Sequence, residues 1–269
     1  MSDTDYTLVD LLRIMERLRD PEHGCPWDLA QDFQSIVPST LEECYELAAA
    51  IEAADYEHVA DELGDVLFQV VFYAQLGREQ GRFDFSSVVQ SLCAKLLRRH
   101  PHVFADGAIE GVVERRSDTG AVKERWEAIK ARERAGRSQH GALDDVPVSL
   151  PALPRAQKLQ KRAARVGFDW PDPGPVLAKL EEEVRELHEA LETAHPEAVE
   201  EELGDVLFTL VNLARHLKLD AESALRRSSS KFESRFRTME ELARSSGAVL
   251  DELDDRALDA LWERAKAEH

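Results

Sequence analysis

The sequence predicts an all-α protein built as a tandem repeat of two four-helix-bundle-like units. Three observations support this fold class. The chain repeats itself at a constant offset of 140 residues, its apolar residues recur with helical spacing, and only 13 glycines and 11 prolines occur in 269 residues. Because so few turn-forming residues are present, the chain is expected to form long helices rather than many short elements.

The repeat is visible without any gap. Residues 42–74 align with residues 182–214, and 18 of the 33 pairs are identical. The heptapeptide ELGDVLF occurs at Glu62–Phe68 and again at Glu202–Phe208. Self-similarity of this kind indicates two copies of one structural unit. We expect an N-terminal unit over 1–136, a linker rich in Gly, Ser and Pro over 137–150, and a C-terminal unit over 151–269.

Within each unit the apolar residues follow a helical period, and no stretch shows the sustained alternation of apolar and polar residues that indicates a β-strand. In the first unit this period predicts helices over 8–18, 41–51, 59–76 and 88–96, and a helix over 123–134 that closes the unit. The corresponding segments of the second unit are 152–166, 175–193, 197–217 and 221–245, followed by 251–267. Four helices joined by short loops predict an antiparallel bundle.

Composition and charge exclude several classes of protein. The formal net charge is −19, which disfavours binding to nucleic acid or to an anionic membrane surface. The three cysteines form no disulfide framework or zinc motif. The first residues show no signal peptide, and no apolar run is long enough to span a bilayer. We therefore expect a soluble cytoplasmic protein.

Both units carry the same pattern of acidic residues. The first unit has E-E-x-x-E at Glu42, Glu43 and Glu46, and E-x-x-D at Glu62 and Asp65. Residues at i and i+3 share one helical face, and a turn near residue 55 would fold the two helices back to back. Four carboxylates are thereby predicted to approach one point. The second unit repeats the pattern with the same spacing at Glu182, Glu183, Glu186, Glu202 and Asp205.

Electrostatics favour a cation at each of these points. Two carboxylates about 5 Å apart repel by roughly 3 kcal/mol at an effective dielectric constant of 20. Four would take up protons or separate unless a cation lay among them. An all-oxygen ligand set prefers Mg²⁺ or Mn²⁺ to zinc. The alternative, a solvated helix face with a capping box at Thr40–Glu43, fails in the second unit, where the helix is predicted to begin earlier, at Pro173.

A polar stripe continues from the carboxylates into apolar helices. Gln69 lies seven residues after Glu62 in an otherwise apolar segment, and Thr209 and Asn212 take similar places in the second unit. A helix that is apolar nearly all round is buried. The stripe therefore predicts a wet or metal-filled interior.

Several cations are candidates for binding phosphate in this acidic chain. They lie near the end of the fourth helix of the first unit, on one face of the matching helix in the second, and along the first helix of the second unit. These residues are Lys95, Arg98 and Arg99, then Lys231 and Arg235, then Arg155, Lys158, Lys161, Arg162 and Arg165.

The acidic pattern, taken with its repeat and several other segments, resembles the MazG nucleotide pyrophosphohydrolases in their two-unit bacterial form. The segments that carry the resemblance are DPEHGCPWD at 20–28, ELGDVLFQVVFYA at 62–74, RHPHVF at 99–104, RAQKLQKRAARVGFDW at 155–170 and VNLARHL at 211–217. The resemblance implies an all-α homodimer that uses Mg²⁺ to hydrolyse nucleoside triphosphates between the α and β phosphates.

The resemblance also implies roles for individual residues. Glu182 and Glu42 would orient each site. Lys179, Lys231 and Arg235 would contact the nucleotide, and Trp262 would stack near the base, while Lys95 and Arg99 are the candidates in the first unit. The implied metal ligands are Glu183, Glu186, Glu202 and Asp205, and in the other copy Glu43, Glu46, Glu62 and Asp65.

The residues fit attack by water rather than by a protein nucleophile. No Ser–His or Cys–His pair presents itself, and neither G-x-x-x-x-G-K-[ST] nor G-x-G-x-x-G occurs. Glu182 or Glu183, with Glu42 or Glu43 in the other copy, are candidates to accept the proton of the water. A non-catalytic nucleotide-binding or regulatory interaction module remains the alternative. Release of pyrophosphate from a nucleoside triphosphate distinguishes the two.

Overall fold

The computed structural model describes residues 5–111, 120, 129, 141–193 and 195–268. The chain falls into two compact units, Met1–Ala131 and Arg132–His269, and each is described by itself. The predicted helix over 123–134 and the predicted boundary between 136 and 137 lie outside the described residues, apart from Ile129. The domain limits therefore stay a prediction.

Residues 5–111 of the N-terminal unit form five α-helices. These helices are α1 (Leu8–Leu18), α2 (Pro26–Ala30), α3 (Val37–Glu52), α4 (Tyr56–Glu79) and α5 (Phe85–Arg99). The longest two, α3 and α4, are joined by a short turn and pack against each other, and α4 also contacts α1 and α5. The short helix α2 was not predicted by the apolar period.

The C-terminal unit repeats the helical hairpin of the N-terminal unit. Its helices are α6 (Ala152–Ala164), α7 (Pro173–Thr193), α8 (Pro196–His216), α9 (Ala221–Ser245) and α10 (Asp255–Ala267). Helices α7 and α8 pack together, α6 lies against α8, and α9 contacts α6, α8 and α10. The described part of the chain holds no β-strand. The all-α prediction and the two-unit arrangement are confirmed.

Helix starts are set by proline and by side-chain caps. Helix α7 begins at Pro173, as predicted, and α4 is capped by Asp55, whose Oδ1 accepts from the backbone N–H of His58 at 3.2 Å. Helix α3 begins at Val37, so Thr40 lies inside it and its hydroxyl donates to the carbonyl of Ile36. Because Thr40 is not an N-cap, helix capping does not explain the carboxylate of Glu43.

The apolar core of the N-terminal unit packs around Phe72. Phe72 is fully buried, the guanidinium carbon of Arg19 lies 5.2 Å from its ring centroid, and Arg19 makes a bidentate pair with Glu79 at 2.6 and 2.8 Å. This packing fixes α4 against α1 and thereby positions one half of the acidic pattern. The other buried members of the core are Met15, Ile36, Val71 and Leu76.

The C-terminal unit differs at the position that corresponds to Phe72, which is Asn212. A cavity of about 580 Å³ lies there, and Phe168, Trp170 and Phe208 are among its lining residues. Gln160 also lines it and donates from Nε2 to the carbonyl of Phe208 at 2.8 Å. Thr209 and Asn212 are both buried on α8, so the polar stripe does run into the interior, while the predicted wet or metal-filled interior stays a prediction.

None of the helices within the described ranges has both the length and the apolar character that crossing a bilayer requires.

Candidate active site

Three carboxylates of the N-terminal unit meet where α3 packs on α4. One oxygen from each of Glu43, Glu46 and Glu62 lies within 4.8 Å of the other two. Glu43 and Glu46 come from one face of α3, and Glu62 comes from α4, so the hairpin brings the two parts of the sequence motif together. We call this group the N-terminal cluster.

The C-terminal unit forms the same arrangement between α7 and α8. One oxygen from each of Glu183, Glu186 and Glu202 lies within 4.8 Å of the other two. Glu183 is buried, and the other two side chains are half-buried. We call this group the C-terminal cluster. The repeat in sequence is therefore a repeat in site geometry.

A lysine joins the C-terminal cluster. Lys179 Nζ lies 2.7 Å from Glu182 Oε1 and 2.9 Å from Glu183 Oε1. These hydrogen bonds raise the pKa of Lys179 and lower that of Glu182. Because Lys179 stays charged, it offsets part of the repulsion within this cluster.

Burial and mutual repulsion act on the remaining carboxylates. The pKa of Glu43 is raised by burial and by the neighbouring charges of Asp65, Glu46 and Glu62. In the C-terminal cluster the pKa of Glu202 is raised by burial and by Asp205 and Glu183. The raised pKa of Glu186 follows from burial and from a hydrogen bond with Glu183. Each cluster thus favours bound positive charge.

The fourth predicted ligand of each site lies at the edge of its cluster. Asp65 and Asp205 are exposed and stand outside the two groups of three in the described structure, although each charge acts on a cluster member. Glu42 is exposed beside Glu43 and repels it. The ligand roles of Asp65 and Asp205, and the orienting roles of Glu42 and Glu182, stay predictions.

The other predicted nucleotide contacts lie on α5, α9 and α10. Lys231 is exposed, while Arg235, one turn later, is half-buried and its buried Nε has no hydrogen-bond partner among the described residues. Trp262 is half-buried, and its ring centroid lies 5.4 Å from that of Phe232. Lys95 and Arg99 are half-buried on α5. Their contacts with a nucleotide stay predictions.

The donor atoms fit a hard divalent cation. All members of each cluster offer carboxylate oxygen, which Mg²⁺ and Mn²⁺ prefer. Oxygen Oε2 of Glu62 is buried, and within the described chain nothing donates a hydrogen bond to it. A buried carboxylate oxygen without a donor is costly unless a cation binds it. The clusters therefore suit a hard divalent cation.

Sequence reasoning missed one residue of the N-terminal site. His58 Nε2 lies 3.4 Å from Glu62 Oε1, and its Nδ1 lies 3.7 Å from Asp55 Oδ2. The signal was available, because His58 precedes Glu62 by four residues on one predicted helix, a spacing at which side chains meet.

Glu43→Gln is expected to stabilise the metal-free protein at neutral pH. The pKa of Glu43 is raised in the folded state, so the folded protein binds more protons than the unfolded chain as pH rises above the ordinary value of 4.5. The wild type therefore loses stability over that window, and the glutamine variant does not. Thermal unfolding in chelator at pH 4 and pH 7 measures the difference in Tm.

The gain in Tm should appear at pH 7 and become small at pH 4, which lies below the ordinary value of 4.5, so that the carboxyl is mostly protonated in both states. Glu183→Gln is the matched control, since it removes a charge that Lys179 already pairs. An equal or larger gain for Glu183→Gln at pH 7 would contradict the electrostatic account.

A helical repeat with a carboxylate cluster on each hairpin is the architecture expected of an all-α nucleotide phosphohydrolase. The family model of the MazG nucleotide pyrophosphohydrolase domain matches residues 31–104 and 173–239, which span both clusters. The chain belongs to the MazG nucleotide pyrophosphohydrolase family.

Full-length relatives agree with this family. A nucleoside triphosphate pyrophosphohydrolase of Escherichia coli K12 is 51% identical over 258 residues, which cover 95% of each chain. A nucleoside triphosphate pyrophosphohydrolase/pyrophosphatase MazG of Thermotoga maritima is 45% identical over 266 residues, which cover 99% of this chain and 98% of the relative. The predicted class of enzyme, a hydrolase acting on phosphoanhydride bonds, is confirmed.

Proposed function

We propose that the protein hydrolyses nucleoside and deoxynucleoside triphosphates between the α and β phosphates, with release of a nucleoside monophosphate and pyrophosphate. The observation that carries this proposal is the meeting of three carboxylates from two helices in each repeat of a MazG-family chain. We further propose Mg²⁺ as the physiological cation, with Mn²⁺ as a substitute, because every cluster member offers an oxygen ligand.

In the C-terminal unit, Glu183, Glu186 and Glu202 would hold the cation, with Asp205 joining from the edge of the cluster. Bound there, a divalent cation supplies Lewis-acid polarisation of a phosphoryl oxygen and lowers the pKa of a water. Lys179 lies beside the proposed ligands, where its ammonium group pairs with Glu182 and Glu183 and can turn to a phosphate oxygen when substrate binds. When the ammonium group of Lys179 turns to the phosphate, Glu182 loses this partner and becomes free to accept the proton of the attacking water.

Lys231, Arg235 and Trp262 are proposed to bind the rest of the substrate. The Nε of Arg235 has no hydrogen-bond partner among the residues that the structure describes, and a guanidinium can bind phosphate through two parallel hydrogen bonds. Trp262 presents an aromatic face for stacking on a base. Lys95 and Arg99 would take the phosphate-binding role in the N-terminal unit, and both units are proposed to bind substrate because neither has lost a cluster carboxylate.

The alternative of a non-catalytic nucleotide-binding or regulatory module is less consistent with the chain. The chain belongs to a family of pyrophosphohydrolase domains, and each of its two clusters contains three glutamates at matching positions of the repeat.

The test is direct analysis of products. The full-length protein is incubated with a nucleoside triphosphate, with Mg²⁺ and with chelator, and products are identified by ³¹P NMR. We expect monophosphate and pyrophosphate in equal amounts with Mg²⁺, and neither with chelator. Diphosphate and inorganic phosphate would indicate cleavage at the β–γ bond and contradict the proposal, and no product with any canonical or damaged triphosphate would favour the binding module.

We also propose that the protein is a homodimer. Apolar residues on α4 and α8 are 39% to 52% exposed at matching repeat positions. A stripe of this kind on both repeats is typical of a face that a second chain covers. Light scattering at micromolar concentration should give twice the chain mass of 30.3 kDa, and a monomer would contradict the proposal. The residues are Leu63, Leu67 and Val70, and Leu203, Leu207 and Leu210.

Cytoplasmic localisation is part of the same proposal. Nucleoside triphosphates are the proposed substrates, and a net charge of −19 disfavours nucleic acid and anionic membrane as partners. Localisation and the absence of these partners stay predictions.

A further inference from the structure

The two clusters differ in the positively charged or basic residue beside them. At the repeat offset of 140, Lys179 of the C-terminal unit corresponds to Ser39, which carries no charge. His58 of the N-terminal unit corresponds to Ala198. One repeat therefore has an ammonium group against its carboxylates, and the other has an imidazole, which is a metal ligand as well as a base.

Glu62 is the member of the N-terminal cluster whose carboxylate has an oxygen without a hydrogen-bond partner within the described residues. Its side chain is nine-tenths buried, and its Oε2 accepts no hydrogen bond within the described residues. An i,i+4 ion pair between His58 and Glu62 accounts for the contact at Oε1 but leaves Oε2 without a donor. A cation seated among the carboxylates satisfies that oxygen.

The position of His58 suits ligation. Its Nε2 lies 3.4 Å from Glu62 Oε1. Two ligand atoms bound to one ion at about 2.1 Å lie about 3.0 to 3.4 Å apart at octahedral and tetrahedral angles. The separation between this nitrogen and this oxygen lies at the tetrahedral end of that range. In this structure the ring is 63% exposed and stands outside the group of three oxygens, so ligation requires the side chain to turn toward Glu43 and Glu46.

The other ring nitrogen of His58 lies near a carboxylate. Nδ1 is 3.7 Å from Asp55 Oδ2, which is beyond hydrogen-bond distance but close enough for Asp55 to support the ring after a small movement. A carboxylate behind the second ring nitrogen is the usual support of a metal-binding histidine. A hollow of about 350 Å³ opens beside these groups, and Glu46, Asp55, His58 and Glu62 are among its lining residues.

We propose that His58 is a nitrogen ligand of the divalent cation in the N-terminal cluster. This rests on the proposed function, namely that the cluster binds a divalent cation. The imidazole raises the affinity of this cluster for ions such as Co²⁺ and Zn²⁺ relative to Mg²⁺, because imidazole suits these ions and Mg²⁺ prefers oxygen. The C-terminal cluster, with three carboxylates and an ammonium group, keeps the preference for hard ions.

The experiment uses the full chain with the C-terminal cluster disabled by Glu183→Gln and Glu202→Gln. Binding of Co²⁺ is followed by visible absorption, and binding of Mg²⁺ by calorimetry, before and after His58→Ala. We expect Co²⁺ affinity to fall about 10-fold or more, while Mg²⁺ affinity changes by about twofold or less. Pulsed EPR of bound Mn²⁺ should show coupling to a ring nitrogen that disappears in the variant.

The matched control is His23→Ala. His23 pairs with Asp20 at i,i+3, with Nδ1 3.4 Å from Oδ1, as His58 pairs with Asp55, and it lies outside the cluster. Substitution of His58 spares the N-cap of α4, since Asp55 accepts from the backbone N–H. Circular dichroism checks that each variant is folded.

Two results would overturn the proposal. One is unchanged Co²⁺ affinity with no nitrogen coupling, and the other is an equal loss for Co²⁺ and Mg²⁺, which indicates an electrostatic role. Failure of the C-terminally disabled protein to bind either ion, with His58 intact, would instead remove the metal site assigned to this unit under the proposed function.

Discussion

Glu183→Gln is expected to lower turnover of a nucleoside triphosphate by at least about 100-fold in a chain whose N-terminal cluster is disabled by Glu43→Gln. Glu183 is 6% exposed, lies within 4.8 Å of two other cluster oxygens, and pairs with Lys179. A neutral amide in its place weakens cation binding and removes the partner of Lys179. Stabilisation of developing charge by a bound cation amounts to several kcal/mol, which corresponds to this loss in rate.

The measurement is the rate of pyrophosphate release at saturating Mg²⁺. Glu189→Gln is the matched control, because Glu189 is an exposed glutamate on the same helix and stands outside the cluster. It should retain the activity of the Glu43→Gln parent. Full activity of the Glu183→Gln, Glu43→Gln protein, with normal circular dichroism, would show that the site assignment is wrong. Asp205→Asn in the same background tests the ligand at the edge of the cluster.

Phe72→Ala is expected to reduce the free energy of unfolding of the N-terminal unit by about 3–5 kcal/mol. Phe72 is fully buried between α1 and α4, meets Phe68 edge to face with ring centroids 5.9 Å apart, and lies beneath Arg19. Truncation removes these contacts and leaves a void next to a buried charge. Native-state hydrogen exchange of the α4 amides reports the loss for this unit alone.

The control for Phe72→Ala is Phe168→Ala, which truncates an exposed phenylalanine in the C-terminal unit. Phe168 is 81% exposed, so its truncation should change the free energy of unfolding by about 0.5 kcal/mol or less. A loss below about 1 kcal/mol for Phe72→Ala would indicate that the surrounding side chains collapse into the void, contrary to the close packing described for this core.

The helices and the two clusters could be predicted because they depend on spacing alone. The apolar period located nine of the ten described helices, and the i,i+3 spacing of Glu43–Glu46 placed both carboxylates on one face. The short helix Pro26–Ala30 was missed because five residues are too few to show a period. The start of α3 at Val37 was missed because Pro38, which occupies its first turn, gives a weaker signal than Thr40.

Features that depend on contacts between distant residues could not be obtained from spacing. The repeat alignment pairs Phe72 with Asn212, but only packing shows that Phe72 is fully buried and that Asn212 lines a cavity. Likewise, Asp65 and Asp205 are exposed, and the exposure of a side chain depends on how its helix packs against its neighbours, which the sequence pattern leaves open.

The presence of Lys179 in only one unit affects how the two clusters bind a divalent cation. The ammonium group holds Glu182 and Glu183 in place before any cation arrives, so the C-terminal cluster is preorganised. At the corresponding position the N-terminal unit has Ser39, and its carboxylates approach each other against their own repulsion. A cation that enters the C-terminal cluster must displace the ammonium group from Glu183, whereas a cation that enters the N-terminal cluster directly relieves the repulsion among its carboxylates. The two halves of the molecule should therefore fill at different concentrations of Mg²⁺.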